Sequence, residues 1–140
     1  MIAPNPSTFL RLAAATSTLS LTPEHTALHY GTSLDPSLAW WRNMGYNNVL
    51  KNTGVIAFIK HTKEDSIIEL IPHTTPEHLG YSVPTKEKFF EFLKQIEKDK
   101  DTYEVISKKT EDGEGLLFVL FRDKMTQDVL QIVWRAEPLG

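Results

Sequence analysis

The order strand, helix, strand, strand, strand occurs twice along this chain, and that repetition constrains the fold more than any other feature. Thr26–Ser33 (TALHYGTS) reads as a strand, with small and apolar residues in loose alternation. Asp35 is a good helix N-cap, and Pro36 suits the first helical position, whose N–H needs no partner. Leu34, Leu38 and Trp41 then fall on one helical face, and Gly45 ends the helix. Strand candidates follow at Asn48–Lys51, Gly54–Lys60 and Ser66–Pro72. Asn52-Thr53-Gly54 and Lys63-Glu64-Asp65 are the turn signals between them.

The order then restarts. His78–Val83 reads as a strand, and Thr85 caps a helix over Lys86–Lys98 with Phe89, Leu93 and Ile96 on its apolar face. Strands follow at Tyr103–Lys108, Gly115–Arg122 and Val129–Trp134. The halves superpose with a shift of about 52 residues, within the range that marks duplicated units. That shift sets Thr26 under His78 and Trp41 under Leu93; what repeats is the order of elements, not the letters. The implied fold is α+β, with tandem βαβββ modules forming a curved, partly closed mixed sheet and a helix packed on the outside of each module. Alternate strand residues would line the open face, shaped as a cup.

With 140 residues and 41% hydrophobic content, the chain can bury one real core. A single domain is expected over residues 24–140, with modules at about 24–75 and 76–137. Residues 1–23 contain no Asp or Glu and only one basic residue, Arg11. They read as a loosely ordered arm with a helical turn around Phe9–Ala15, packing over a groove or on a second subunit. Thr and Ser break its apolar stretch, unlike a secretory signal, and it has less Arg than a transit peptide. The net charge is -3, and no basic cluster exceeds Lys108-Lys109, which argues against nucleic acid and anionic membranes as partners. No apolar run approaches the ~20 residues that span a bilayer. The absence of cysteine excludes disulfides, thiol nucleophiles and thiolate metal sites. The expected location is the cytoplasm.

Three polar residues stand out in apolar strands. Glu69 shares a side with Ile67 and Ile71, and a buried carboxylate there needs a metal, a hydrogen-bond partner or a catalytic task, unless that face meets water. His78 opens the second half on the face of Gly80 and Ser82. Gln131 lies between Val129 and Val133 on its own face, a weak ligand and a good hydrogen bonder. His25 reaches the cup rim only if the first strand shifts by one residue. Tyr30 and Trp134, on strands, are candidates for a ligand wall. Trp40 and Phe92 lie off the helical stripes and could cover a subunit contact. No Gly-rich phosphate loop, nucleophile elbow or paired metal-protease histidines are present.

The stretches SLDPSLAWWRNMGY, SIIELIPH, HLGYSV and LFRDKMTQDVLQIVW resemble the vicinal oxygen chelate superfamily. This group includes glyoxalase I, methylmalonyl-CoA epimerase, extradiol dioxygenases, fosfomycin-resistance enzymes and bleomycin-binding proteins. The resemblance covers Thr26 to about Arg135 and implies tandem βαβββ modules, a homodimer, and ligands from the first and last strands of each module. It implies metal ligands at Glu69, His78 and Gln131, with His25 completing the set in place of Thr26. The family's usual glutamate is replaced by Gln131, which argues against the dioxygenase branch. Its usual Asp-Pro-Asp-Gly turn is replaced by Asp123-Lys124-Met125-Thr126.

Two functions follow as expectations. One is a lyase, or an isomerase or cyclase, that moves a proton next to a carbonyl or enolate, with one divalent ion (Zn, Ni, Mn or Fe) or none. Glu69 would be the general base, its carboxyl raised by the apolar strand around it. His78 would act on the oxyanion or hold the metal, and Gln131 would orient the substrate. Thr26, Tyr30, Ser82 and Trp134 would contact that substrate. The other is a metal-free protein that sequesters a small molecule, in the manner of the bleomycin-binding relatives.

Overall fold

A computed structural model describes residues 21–140. The helical turn expected at Phe9–Ala15 lies outside the described residues, as does all but the end of the expected arm. The elements are β1 (Thr22–His29), α1 (Leu34–Asn43), β2 (Asn48–Asn52), β3 (Ala57–Lys60), β4 (Ile67–Ile71), β5 (His78–Ser82), α2 (Lys86–Lys98), β6 (Tyr103–Lys109), β7 (Leu116–Asp123) and β8 (Val129–Arg135). The fold is α+β, built from two βαβββ modules. Among the described residues, no helix is long and apolar enough to cross a membrane.

The chain forms two compact units, one of Glu24–His78 with Leu139–Gly140 and one that includes Leu79–Pro138. In the first, the strands run in the order β2-β3-β4-β1. β2–β3 and β3–β4 are antiparallel, and β4–β1 is parallel. Leu34 of α1 joins Ala57, Ile59, Ile68 and Leu70 in a buried cluster, with Leu28, Tyr30, Leu38 and Trp41 packed against it. These strand residues alternate, so Phe58, Glu69 and His25 are turned to the opposite face. The core thus fixes which side of the sheet is left for chemistry.

In the second unit the order is β6-β7-β8-β5, with β8–β5 parallel. α2 buries Phe89, Phe92, Leu93 and Ile96 against Leu117, Val119, Phe121, Leu130 and Ile132. Each such side chain contributes about 1.5–3 kcal/mol by leaving water. Phe92, expected to lie off the stripe toward a subunit contact, is fully buried here. Positions 89, 92, 93 and 96 form one stripe of a 3.6-residue period, and the shorter pattern read from sequence omitted its middle. Trp40, in contrast, is 57% exposed.

The largest departure from expectation is at β1, which begins at Thr22 rather than Thr26 and ends at His29. Pro23 lies within this extension, and proline is tolerated at the start of a strand, where its missing N–H is not needed. This extension brings Glu24 and His25 into the sheet. The start of α1 also shifts: Ser33 is the N-cap, without a side-chain capping bond, and Asp35 and Pro36 lie in the first turn. Both still suit that turn, Asp35 by its charge and Pro36 because it lacks an N–H that would have no partner there.

Candidate metal centre

The register of the first sheet builds the site. Ala27 on β1 pairs with Glu69 on β4, and Glu69 pairs with Phe58 on β3. His25 lies two residues before Ala27, on the same face by the period of the strand. His78 is the first residue of β5 and belongs to the same compact unit. His25, Glu69 and His78 are all buried, and one ligand atom from each lies within 4.8 Å of the others.

His25 Nε2 is 3.4 Å from Glu69 Oε1, and His78 Nε2 is 3.6 Å from the same oxygen. The two rings meet edge to face, with centroids 5.6 Å apart. Phe58 stands edge-on to His25 at 5.5 Å and closes that side with an apolar wall. His25 Nδ1 donates to Glu24 Oε1 at 2.8 Å, and His78 Nδ1 donates to the Pro76 carbonyl at 2.9 Å. These acceptors assign the tautomer: each neutral ring carries its proton on Nδ1 and a lone pair on Nε2. Neither Nε2 has a hydrogen-bond partner among the described residues.

Three acceptors therefore converge in a buried place, where a cation, a proton or a hydrogen-bond donor is needed to satisfy them. Burial pushes the Glu69 carboxyl up, but hydrogen bonds and charge from the two facing imidazoles, when Nε2 carries a proton, outweigh burial and hold it at about 2. This corrects the expectation of a raised carboxyl: the apolar strand acts as foreseen and is overruled by its neighbours. Burial pushes His25 down, and the carboxylates of Glu24 and Glu69 more than reverse this, leaving it above its usual 6.5. Two imidazoles and a carboxylate suit zinc and other first-row divalent ions, so the donor set fits a metal.

A second group braces the connection between β4 and β5. His29, the last residue of β1, donates from its ring Nε2 to the Thr75 carbonyl at 2.6 Å, and from its main-chain N–H to Glu77 at 2.9 Å. The His73 ring lies 4.5 Å from that of His29. This clamp sits next to Pro76, whose carbonyl orients His78. Neither Glu24 nor His29 was singled out for a role by the sequence pattern. An acidic residue directly before a strand histidine was the available signal for the first.

The registers also place the other sequence-derived site residues within their own units. Thr26 pairs with Ile68 and shares the helix-covered face of β1, where Tyr30 packs against the core. In the second unit, Gln131 pairs with Gly80 on β5 and Leu120 on β7, and Ser82 pairs with Val133. Trp134 packs against the helix-side core there, with the Lys86 ammonium 5.1 Å over its ring. The registers expose the internal equivalence. His25 precedes Ala27 by two and His78 precedes Gly80 by two, while Glu69 faces Ala27 and Gln131 faces Gly80. The functional shift at the opening histidines is thus one residue longer than that read from the element order.

No family profile and no curated protein sequence matches this chain. Among solved structures, a hypothetical protein from Bacillus halodurans is similar with a TM-score of 0.54 at 16% identity, over 85% of this chain and 97% of its own. An extradiol ring-cleaving dioxygenase from B. fuscum is similar with a TM-score of 0.58 at 11% identity, over 86% of this chain. The match spans only 36% of the dioxygenase chain. At such identities the likeness is one of fold. With the two βαβββ modules and their register, it shows that this chain has the fold of the vicinal oxygen chelate superfamily.

Proposed function

We propose that this chain is a small-molecule enzyme that holds a divalent metal ion through His25, Glu69 and His78 and moves a proton next to a carbonyl or enolate carbon. The reaction class is that of a lyase, or of an isomerase or cyclase. The observation that carries the reading is the convergence of two unpartnered, buried imidazole nitrogens on one carboxylate oxygen. An ion bound there supplies Lewis-acid stabilisation of a substrate oxygen. The chain's own groups supply the rest. His25 and His78 present Nε2 from rings fixed at Nδ1, and Phe58 keeps water from one side.

Held at about 2, Glu69 is a poor base while both imidazoles face it. It serves as the anionic ligand, and its role as general base requires release from both rings. Without an ion, His78 would be the electrophilic partner. Gln131, the equivalent of Glu69 in the second module, is neutral and suits orientation of a substrate rather than the holding of charge. A homodimer belongs to this proposal, and sedimentation equilibrium reads it directly.

Elemental analysis of the purified, untagged protein tests the metal. Near-stoichiometric metal in the wild type, lost in His25→Ala, Glu69→Ala and His78→Ala, is the expected result. Absence of metal after reconstitution with zinc, nickel, manganese and iron would overturn it. Proton transfer is tested by NMR in D2O, where the C–H signal next to the carbonyl of a substrate fades with turnover.

The low Glu69 carboxyl favours one second reading, a metal-free sequestration protein of the bleomycin-resistance type, because it leaves the cluster without a poised base. Retention of a copurifying compound, chemically unchanged through long incubation, would support that reading.

A further inference from the structure

Successive side chains on a strand point to opposite faces, so the residue just before a buried histidine is ordinarily out of reach of its ring. Glu24 departs from this. Its Oε1 accepts the Nδ1–H of His25 at 2.8 Å, although the two are adjacent on β1. The His25 side chain is fully buried and that of Glu24 only 11% exposed, so this charge-assisted bond is largely shielded from water.

The second imidazole is oriented by a different kind of acceptor. His78 Nδ1 donates to a main-chain carbonyl, that of Pro76. Both rings therefore present Nε2 to Glu69, one turned by a side chain and one by the backbone. The side-chain arrangement has a clear alternative. A His25 ring with its proton on Nε2 would donate to Glu69 Oε1, only 3.4 Å away. The ligand nitrogen and the ligand oxygen would then satisfy each other, and the site would be quenched from within.

We propose that Glu24 is a positioning residue that holds His25 in the Nδ1–H tautomer and so keeps Nε2 bare as a ligand instead of letting it collapse onto Glu69. The purpose of this device rests on the metal reading above, whereas its geometry stands alone. Carboxylates behind ligand histidines act in this way by fixing ring and tautomer, and their loss weakens metal binding by about 10–100-fold.

The test uses the full chain with Glu24→Ala and Glu24→Gln. The first removes the acceptor; the second keeps an amide oxygen able to take the Nδ1–H. Zinc affinity is measured by competition with a chromophoric chelator, and the tautomer by 15N NMR of the histidine side chains. The metal-free form is recorded at alkaline pH, where the rings are neutral. Expected are a wild-type Nδ1–H signature at His25, a shift to Nε2–H with about 10–100-fold weaker zinc binding in Glu24→Ala, and an intermediate affinity with the tautomer retained in Glu24→Gln. A purely structural role would lower the melting temperature and leave the tautomer unchanged. Glu24→Ala with the wild-type tautomer overturns the proposal, whatever its zinc affinity. If the wild type binds no zinc, the metal reading fails, and the tautomer of the metal-free variants still decides the role of Glu24.

Discussion

Ala27 stands directly across the parallel ladder from Glu69, so the residue beside the site's carboxylate is the smallest that has a side chain. It is fully buried, on the face that also carries His25 and His29. Ala27→Leu would push added carbons into the space beside the carboxylate. Overpacking of this kind costs about 1–3 kcal/mol. The expected outcome in urea denaturation is a loss in that range, with metal binding abolished in titration. A leucine variant with wild-type stability and full metal binding would show that the space beside Glu69 is not the site.

Metal should stabilise the fold. The three donors come from three different strands and are assembled only when the unit is folded, so an ion binds the native state. At a free concentration one hundred times the Kd the gain is about 2.7 kcal/mol, or roughly 10 °C in Tm for a chain of this size. Calorimetry with and without zinc measures it. His78→Ala should melt at the same temperature in both conditions.

The ion-free protein should be most stable at mildly acidic pH. Glu69 falls from the usual 4.5 to about 2 on folding, so its contribution is present above 4.5 and is lost as pH falls toward about 2. His25 rises above 6.5 on folding, so its contribution is complete below 6.5 and is lost as pH rises through the folded value. Urea denaturation across pH should show stability falling on both sides of the window from 4.5 to 6.5. Glu69→Gln should remove the acid limb and only weaken the alkaline one, because Glu24 still favours the charged form of His25. Metal affinity should move the other way, tightening with pH as the ion displaces a proton from His25.

The two helices should respond differently to loss of their caps. Thr85 Oγ1 accepts from the Lys88 N–H at 3.1 Å, whereas the Ser33 side chain makes no capping bond. Thr85→Ala should cost about 1 kcal/mol, and Ser33→Ala should cost clearly less. Chemical denaturation of the two variants in parallel is the check, and equal losses would contradict it.

Gly45 closes α1 with φ of 99°, and a Cβ there would run into the His61 imidazole. That ring cannot easily yield, because its Nδ1 accepts the N–H groups of Lys63 and Glu64 and its face meets Tyr46. Gly45→Ala should therefore destabilise by about 1–3 kcal/mol, combining backbone strain with the clash. The melting temperature measures this, and an unchanged value would show that the turn relaxes.

The fold was legible because its signals are local and repeated. The helix over Lys86–Lys98 and its Thr85 cap stand where read, and each sheet strand lies within a few residues of its expected place. Glu69 and His78 were visible as polar residues in apolar strands. His25 was not resolved from Thr26, because periodicity names a face only once the start of the strand is known, and that start was read at Thr26 instead of Thr22. The low carboxyl of Glu69 was hidden for a different reason. Burial can be read from one strand, but the imidazoles that overrule it arrive from two others. Glu24 and His29 act through contacts that depend on rotamer and loop path, which a pattern of residue types does not carry.

The clamp at His29 has a consequence for how the cluster comes apart. His78 follows directly on the short strap Pro72–Glu77 that leads out of β4, and His29 fastens that strap through Thr75 and Glu77. Glu69 stays anchored in β4 between β1 and β3, so unfastening the strap frees His78 alone and ties ion occupancy to strap closure through that one donor. The main-chain amide of His29, bonded to Glu77, is then a reporter of it: its hydrogen exchange slows when an ion is bound and quickens when the ion leaves.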